Sequence, residues 1–435
     1  MKNKRIVVVG AGLAGCEAAF RVAEAGYPVE LHEMKPVRFS PAHRSEKFAE
    51  LVCSNSLKAE RIGSAAGLLK AEMLRLGSVT VAAALQTKVP AGGALAVDRD
   101  RFSSLVTERI NSHPNIAVVR GEVTRIPDAD AVIIAAGPLV SDALAGAISE
   151  KTGGFLSFFD AAAPIVTAES VDMDAAFVMS RYDRGGDDYI NCPMNKEEYE
   201  RFYEALVSAE RAQIHTFEKK KNIYEGCMPI EVMAERGPDT VRYGPMKPVG
   251  LRDPRTGHRP WAVLQLRKEN EAGTMLNLVG FQTNLKFGEQ KRVFSIIPAL
   301  RDAEFVRYGV MHRNSFIDSP RLLQKNQSLK SDPRVFFAGQ ITGVEGYMES
   351  AASGILAGIN AVRYLAGEAP FLLPPITMLG ALNAYITDES VKSFQPMGAS
   401  FGILPPLEEK IRDKKLRYET LAGRSLAYYD AEVNI

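Results

Sequence analysis

Gly10, Gly12 and Gly15 follow the apolar run Ile6–Val9 without a gap, in the spacing Gly-x-Gly-x-x-Gly. That spacing suits binding of a pyrophosphate: the first glycine permits a tight turn, the second lets the backbone approach the phosphates, and the third lets a helix pack on the strand. Gly10, Ala11, Gly12, Leu13, Ala14 and Gly15 are therefore read as a cofactor-binding turn. Glu33 lies about twenty residues further on, where an acid accepts a ribose hydroxyl. A glycine turn that only allowed close helix–strand packing would leave Glu33 unexplained. The other reactive side chains are the cysteines Cys16, Cys53, Cys192 and Cys227, with no Cys-x-x-Cys pair. This spacing offers no zinc site, no disulfide framework and no flavin-linked dithiol. Cys53 falls in a small polar cluster, Cys53-Ser-Asn-Ser56, suited to a turn or helix cap, where flavoproteins commonly bring a loop against the ring. Free cysteines are more often small buried hydrophobes. Cys227 sits between Gly226 and Met228-Pro229, in an irregular turn, and core or reactive thiol are both open there.

The elements that must position these residues read as follows. Ile6–Val9 is a β-branched run expected to be a strand buried on both faces of a parallel sheet, followed by a helix over 13–25 and a second strand over 28–33. Helices are expected over 63–76 and 99–111, the latter capped by Asp98, and short strands over 116–120 and 122–125. Residues 130–138 form an apolar strand ending in Gly137-Pro138. From about 155 to 291 the pattern changes to short strands and one amphipathic helix over 196–212, marking an inserted domain. Trp261 to Arg267 and Met275 to Gln282 read as a strand pair. Near the end, a strand runs into Ala338-Gly339-Gln340 and Gly346, then a helix over 347–365. Flavoproteins of the glutathione-reductase-like class hold the flavin there, so glycine turns at both ends of the chain imply FAD rather than NAD alone.

The fold class is accordingly α/β: an FAD-binding Rossmann-like domain, glutathione-reductase-like, with a smaller inserted α+β domain. The expected division is 1–155 and 292–370 for the FAD domain, 156–291 for the inserted substrate and RNA domain, and 371–435 for a helical C-terminal segment. A chain of 435 residues exceeds what one core supports. Its 46% hydrophobic and 24% charged residues are those of an ordinary globular protein, without membrane-length apolar runs or a signal-peptide pattern, which reads as cytoplasmic. The net charge of +1 gives no global attraction for nucleic acid, so any RNA surface must be local.

Gly10-Ala-Gly-Leu-Ala-Gly15, Pro41-Ala-His43, Phe48-Ala-Glu-Leu-Val-Cys-Ser-Asn-Ser-Leu57, Val89-Pro-Ala-Gly-Gly-Ala-Leu-Ala-Val-Asp98, Glu225-Gly-Cys-Met-Pro-Ile-Glu231, Gly309-Val-Met-His-Arg-Asn314 and Ala338-Gly-Gln-x-Thr-Gly-Val-Glu-Gly346 together resemble the folate- and FAD-dependent tRNA uracil-5 methyltransferases, the TrmFO family, rather than the related GidA. The resemblance covers nearly the whole chain. It implies transfer of a one-carbon unit from methylenetetrahydrofolate to C5 of a T-loop uridine in tRNA, with reduced FAD as hydride donor and NAD(P)H as external reductant. It also implies that Cys227 is the nucleophile and that Cys53 lies beside the flavin as candidate general base. Gly339, Gln340 and Gly346 join the first turn and Glu33 in holding the cofactor. No metal, no membrane and no stable protein partner are implied; the partners are tRNA, through its T-arm, folate and NAD(P)H. The alternatives are the same chemistry on an rRNA uridine, a GidA-like wobble-uridine modifier, and an FAD-dependent reductase of a small molecule. One departure is Asn284, in Phe281-Gln-Thr-Asn284, where the resemblance leads one to expect a histidine that packs on folate.

A thiolate at neutral pH needs a cationic neighbour, for which Arg236, Arg242 and Lys247 are candidates. Phosphate contacts are expected from residues 219–221, Lys247, Arg252, Lys286 and the tail over 410–417, giving tRNA affinity that falls steeply with salt.

Overall fold

The computed structural model describes residues 4–183, 186, 188–212, 228–392 and 394–433. Strand β1 (Ile6–Val9) is buried at all four positions because its alternate side chains enter two different cores. Ile6 and Val8 pack into one core, and Val7 and Val9 into another on the opposite face of the sheet. Each such side chain contributes about 1.5–3 kcal/mol by leaving water. Helix α1 (Leu13–Glu24) follows, then β2 (Val29–Glu33). Helices α2 (Ala65–Arg75), α3 (Val79–Gln86) and α4 (Arg99–Ser112) come next. The Asp98 carboxylate caps α4 by accepting from the Asp100 and Arg101 N–H groups, both at 3.1 Å. Strands β3 (Ile116–Arg120) and β4 (Ala131–Ile134) complete this first pass. Residues 122–125, expected as a strand, form none. The chain turns away at Gly121, where φ is +148°, and β3 pairs only with β2, leaving no neighbour for another strand on that side.

A second unit interrupts the first. Its six strands are β5 (Ile165–Thr167), β6 (Phe177–Val178), β7 (Tyr189–Met194), β8 (Ala262–Lys268), β9 (Met275–Leu278) and β10 (Phe305–Arg307), in sheet order β6-β7-β8-β9-β5-β10 and antiparallel throughout. Helix α5 (Lys196–Ser208) lays Tyr199, Phe202 and Leu206 on this sheet's core and starts in a capping box of Asn195 and Glu198. Helix α6 (Phe287–Phe294) adds Val293 and Phe294. The boundary expected at 291 falls inside this unit: Phe294, Ile297, Leu300 and Ala303 belong to the same core, and β10 is the sheet's last strand. The antiparallel strands Leu156–Ala161 and Met311–Phe316 carry the chain in and out.

The chain then returns to the parallel sheet through β11 (Val335–Phe337), giving the order β11-β4-β1-β2-β3. Helix α7 (Tyr347–Ala366) packs on α1 at backbone distance. A Cβ on Gly354 would stand 2.1 Å from the Ala14 carbonyl oxygen, and one on Gly358 would stand 2.7 Å from that of Ala18. Only glycine allows the two helices to approach so closely.

Helices α8 (Met378–Ile386) and α9 (Lys414–Glu432) are fastened by Glu72 of α2. Its buried carboxylate accepts from the Met378 and Leu379 N–H groups at 2.7 and 2.8 Å, and from the hydroxyls of Ser425 (2.5 Å) and Tyr429 (3.4 Å). Burial outweighs these donors and pushes the Glu72 carboxyl up to about 7. Between its ordinary 4.5 and about 7, the native state holds a proton that the unfolded chain has released, so stability falls as pH rises through that window. At 1.36 kcal/mol per pH unit the loss is about 3 kcal/mol. Urea unfolding at pH 5 and pH 7.5 is expected to show this component in the wild type and to lose it in Glu72→Gln, which does not titrate.

Candidate active site

The carboxyl ends of β1, β2, β4 and β11 open into one cavity of about 460 Å³, at the point where successive strands run off in opposite directions from β1. Open α/β sheets place their ligands there. Gly10, Ala11, Gly12, Leu13, Ala14, Glu33, Cys53, Gly339, Gln340 and Gly346 all line it. Gly15 does not, and its function is steric: a Cβ there would lie 1.7 Å from the Gly10 carbonyl oxygen. Gly10 has φ +101° and a Cβ would meet the Ala135 carbonyl at 2.5 Å, whereas the space beside Gly12 is open for 4 Å. The N-termini of α1 and α7 begin at Gly12 and Gly346 without a side-chain cap, leaving first-turn N–H groups for an anion. Glu33 accepts from the Ala11 and Lys35 N–H groups, each at 2.9 Å, one on each carboxylate oxygen. Each oxygen keeps a lone pair for a further donor.

Cys53 is half-buried on this wall, whereas Cys16 and Cys192 are core residues whose thiols burial pushes far up. The Cys53 and Ser54 N–H groups donate to the Tyr347 phenol oxygen at 2.8 and 3.3 Å, and Cys53 Sγ stands 3.0 Å from the same oxygen. With both lone pairs of that oxygen occupied, the phenol O–H is left to donate to sulfur. Burial and the neighbouring sulfur hold the Tyr347 phenol well above its ordinary value, so it remains a proton donor. The guanidinium groups of Arg99 and Arg307 act electrostatically on both Cys53 and Tyr347. A phenol and two cationic groups therefore surround the Cys53 sulfur.

The loop carrying Cys53 is held by the second unit. Asn55 Nδ2 donates to the Lys268 carbonyl at 2.9 Å, Arg267 Nε donates to Asn55 Oδ1 at 3.1 Å, and Arg267 Nη2 donates to Ser54 Oγ at 3.0 Å. Arg99 reaches Glu269, at the end of β8, with contacts of 2.6 and 3.3 Å. Tyr347, Arg99, Arg267 and Arg307 were not singled out from sequence. Each lies more than forty residues from Cys53, and only the tertiary fold, through the starts of two helices and the ends of two strands, brings them together. His43 also lines the cavity, with its Nδ1 at 2.6 Å from Ser40 Oγ, and burial lowers its affinity for a proton.

Cys227 and the basic run 219–221 lie outside the described residues. The flanks of that stretch meet the cavity wall. The Ala212 N–H donates to the Asn284 carbonyl at 2.8 Å, and the Ile230 N–H donates to that of Gln282 at 2.7 Å. The buried Glu231 carboxylate accepts from Thr283 Oγ1 and the Asn284 N–H, both at 2.8 Å. Gln282 lines the cavity; Asn284 does not, and its amide donates to the Ala212 carbonyl at 3.1 Å. Of the cations considered for the thiolate, Arg242 is stacked 3.7 Å above Trp261 and donates to its carbonyl. Lys286 pairs with the exposed Glu210. Among the described residues no group of three His, Cys, Asp or Glu side chains could hold a metal, and no helix is long and apolar enough to cross a membrane.

Residues 5–369 match the family model for glucose inhibited division protein A. The chain is 57% identical to methylenetetrahydrofolate–tRNA-(uracil-5-)-methyltransferase TrmFO of Moorella thermoacetica over 430 residues, covering 99% of this chain and 98% of that protein. It is 58% identical to the TrmFO of Enterococcus faecalis over 426 residues, covering 98% and 97%. Among solved structures, GidA of Aquifex aeolicus superposes with a TM-score of 0.72 at 17% identity, covering 98% of this chain and 75% of that one, which establishes the shared FAD-binding Rossmann-like fold. The chain belongs to the TrmFO family of methylenetetrahydrofolate–tRNA-(uracil-5-)-methyltransferases, within the broader GidA group.

Proposed function

We propose that this protein methylates C5 of the T-loop uridine of tRNA, taking the carbon from methylenetetrahydrofolate and the hydride from FAD that NAD(P)H keeps reduced. The observation that carries the reading is a single cavity in which a dinucleotide-type turn, a second glycine turn and a half-buried thiol hydrogen-bonded to Tyr347 converge. The residues fit FAD: the open side of Gly12, the uncapped starts of α1 and α7, and Glu33 would hold its phosphates and ribose. Glu349, whose buried Oε2 has no hydrogen-bond partner, adds an acceptor in the same wall. When bound and reduced, FAD supplies the hydride that completes the methyl group.

The protein's own residues handle the uracil. C5 of uracil is a weak nucleophile, so the Cys227 thiolate adds to C6 and makes C5 part of an enolate that attacks the folate-derived methylene. Loss of the C5 proton then expels tetrahydrofolate from the transferred carbon and leaves an exocyclic methylene on a ring still bound to Cys227, whose thiolate departs once that carbon has received its hydride. Cys53 accepts the C5 proton, with the Tyr347 hydroxyl and the Arg99 and Arg307 charges beside its sulfur. The purified protein, given tRNA, NAD(P)H and carbon-labelled methylenetetrahydrofolate, is expected to place the label in a T-loop nucleoside seen by mass spectrometry. Label appearing only at the wobble position or only in rRNA would redirect the reading, and no label in any RNA would leave the small-molecule reductase.

A further inference from the structure

Phe287, the first residue of α6, is 55% exposed although it is a large apolar ring. It is the outer member of an ordered stack. Its ring lies 4.8 Å from that of Tyr308 at an interplanar angle of 17°, and Tyr308 lies 5.3 Å from Phe305 at 5°. Phe305 in turn rests on Phe294 of the core, 6.4 Å away. Three near-parallel rings therefore climb from the interior to the surface, and the last presents a face to solvent.

This stack adjoins the candidate active site through both of the segments that carry it. Residues 282–286 run from the cavity wall at Gln282 to Phe287. In the other segment, Gly309 follows Tyr308 and packs so tightly that a Cβ would stand 2.7 Å from the carbonyl oxygen of Ala162, which lines the cavity. Arg307, which precedes Tyr308, acts on Cys53. Lys286, beside Phe287, is half-exposed, and its ion pair with the exposed Glu210 is of the kind worth little in water, so it can exchange for a phosphate.

We propose that Phe287, backed by Tyr308 and Phe305, is a base-stacking platform on which an unpaired nucleobase flanking the reacting uridine continues the ring stack. This rests on RNA being the substrate. A pre-stacked aromatic face takes any base through its π-surface, without reading its edge, and by alanine substitution such contacts are worth on the order of tenfold in affinity each. The platform is joined to the cavity wall through residues 282–286, so a base stacked on it would belong to the same loop as the uridine that enters.

The test uses the full-length, FAD-loaded protein and a T-arm hairpin carrying 2-aminopurine at each unpaired loop position other than the reacting uridine in turn. Wild type is expected to quench one position on binding. Phe287→Ala is expected to abolish that quenching and weaken hairpin binding about tenfold. Phe287→Trp should retain both, and Phe287→Leu, apolar but not aromatic, should behave like Ala. Val306→Ala, an exposed neighbour outside the stack, is the control expected to match wild type. Equal binding and quenching by wild type and Phe287→Ala would overturn the proposal, as would a loss of self-association on gel filtration in that variant, which would make the face an interface between copies. Failure of wild type to bind the hairpin at all would refute the RNA reading itself, and is distinguished by the labelled-folate experiment.

Discussion

Cys227→Ala is expected to lose the covalent adduct with tRNA containing 5-fluorouridine and to lower methyl transfer by a factor on the order of 10³ or more. The fluorine at C5 cannot leave as a proton does, so an enzyme that has added its thiolate to C6 and joined C5 to carbon is trapped there. Without that thiolate, C5 never becomes nucleophilic. Cys53→Ala is expected to form the adduct still and to fail afterwards, because proton removal follows carbon transfer. Denaturing gels with labelled RNA separate the two variants, and flavin absorbance checks that each still holds its cofactor. An adduct in Cys227→Ala that disappears in Cys53→Ala would exchange the two roles. The surroundings of Cys53 make that a live comparison, since its phenol donor and two guanidinium neighbours would serve a nucleophile as well as a base.

The second large effect is on folding. Arg99 meets Glu269 through two contacts and also donates to the Leu51 carbonyl at 2.8 Å; the Glu269 side chain is only 2% exposed. Removing one partner of a buried pair leaves the other charged and unsolvated, at a cost of about 3–5 kcal/mol. Arg99→Ala is therefore expected to lower the free energy of urea unfolding by that amount and to loosen the Cys53 loop, read as reduced flavin retention. The double variant Arg99→Ala with Glu269→Ala should be less destabilised than the two single losses added together, since it strands no charge. Strict additivity would show that the pair is not coupled.

The parallel half of the fold was legible because its signals are local. The run Ile6–Val9, the glycine spacing and the Asp98 cap are written in consecutive or nearly consecutive residues, and the strand, the helix start after Gly12 and the cap fall where expected. The expected strand over 122–125 failed because a strand exists only where a neighbour supplies partners, and neighbours are not written locally. The boundary at 291 failed for a related reason: residues 294–303 look like an ordinary amphipathic connection until Phe281 and Phe294 are seen edge to face at 5.3 Å. In the candidate site, Cys53 was found through its polar turn. Tyr347 was seen only as the start of a helix, although the same residue presents its hydroxyl to that turn from almost three hundred positions away. Asn284, at the position where the resemblance leads one to expect a histidine packed on folate, belongs to the internal fastening of the second unit.

That fastening has a practical corollary for protein engineering. Ala212 and Ile230 bind carbonyls only two residues apart, at Asn284 and Gln282, so the two ends of the intervening stretch are held roughly 7 Å from each other by an extended strip. A short glycine-containing bridge is long enough to span that gap. Excising 213–227 in this way would remove the inferred nucleophile and the basic run 219–221 together while keeping Gly10, Cys53 and Gly339 of the cofactor cavity: a chain in which flavin binding can be weighed apart from catalysis.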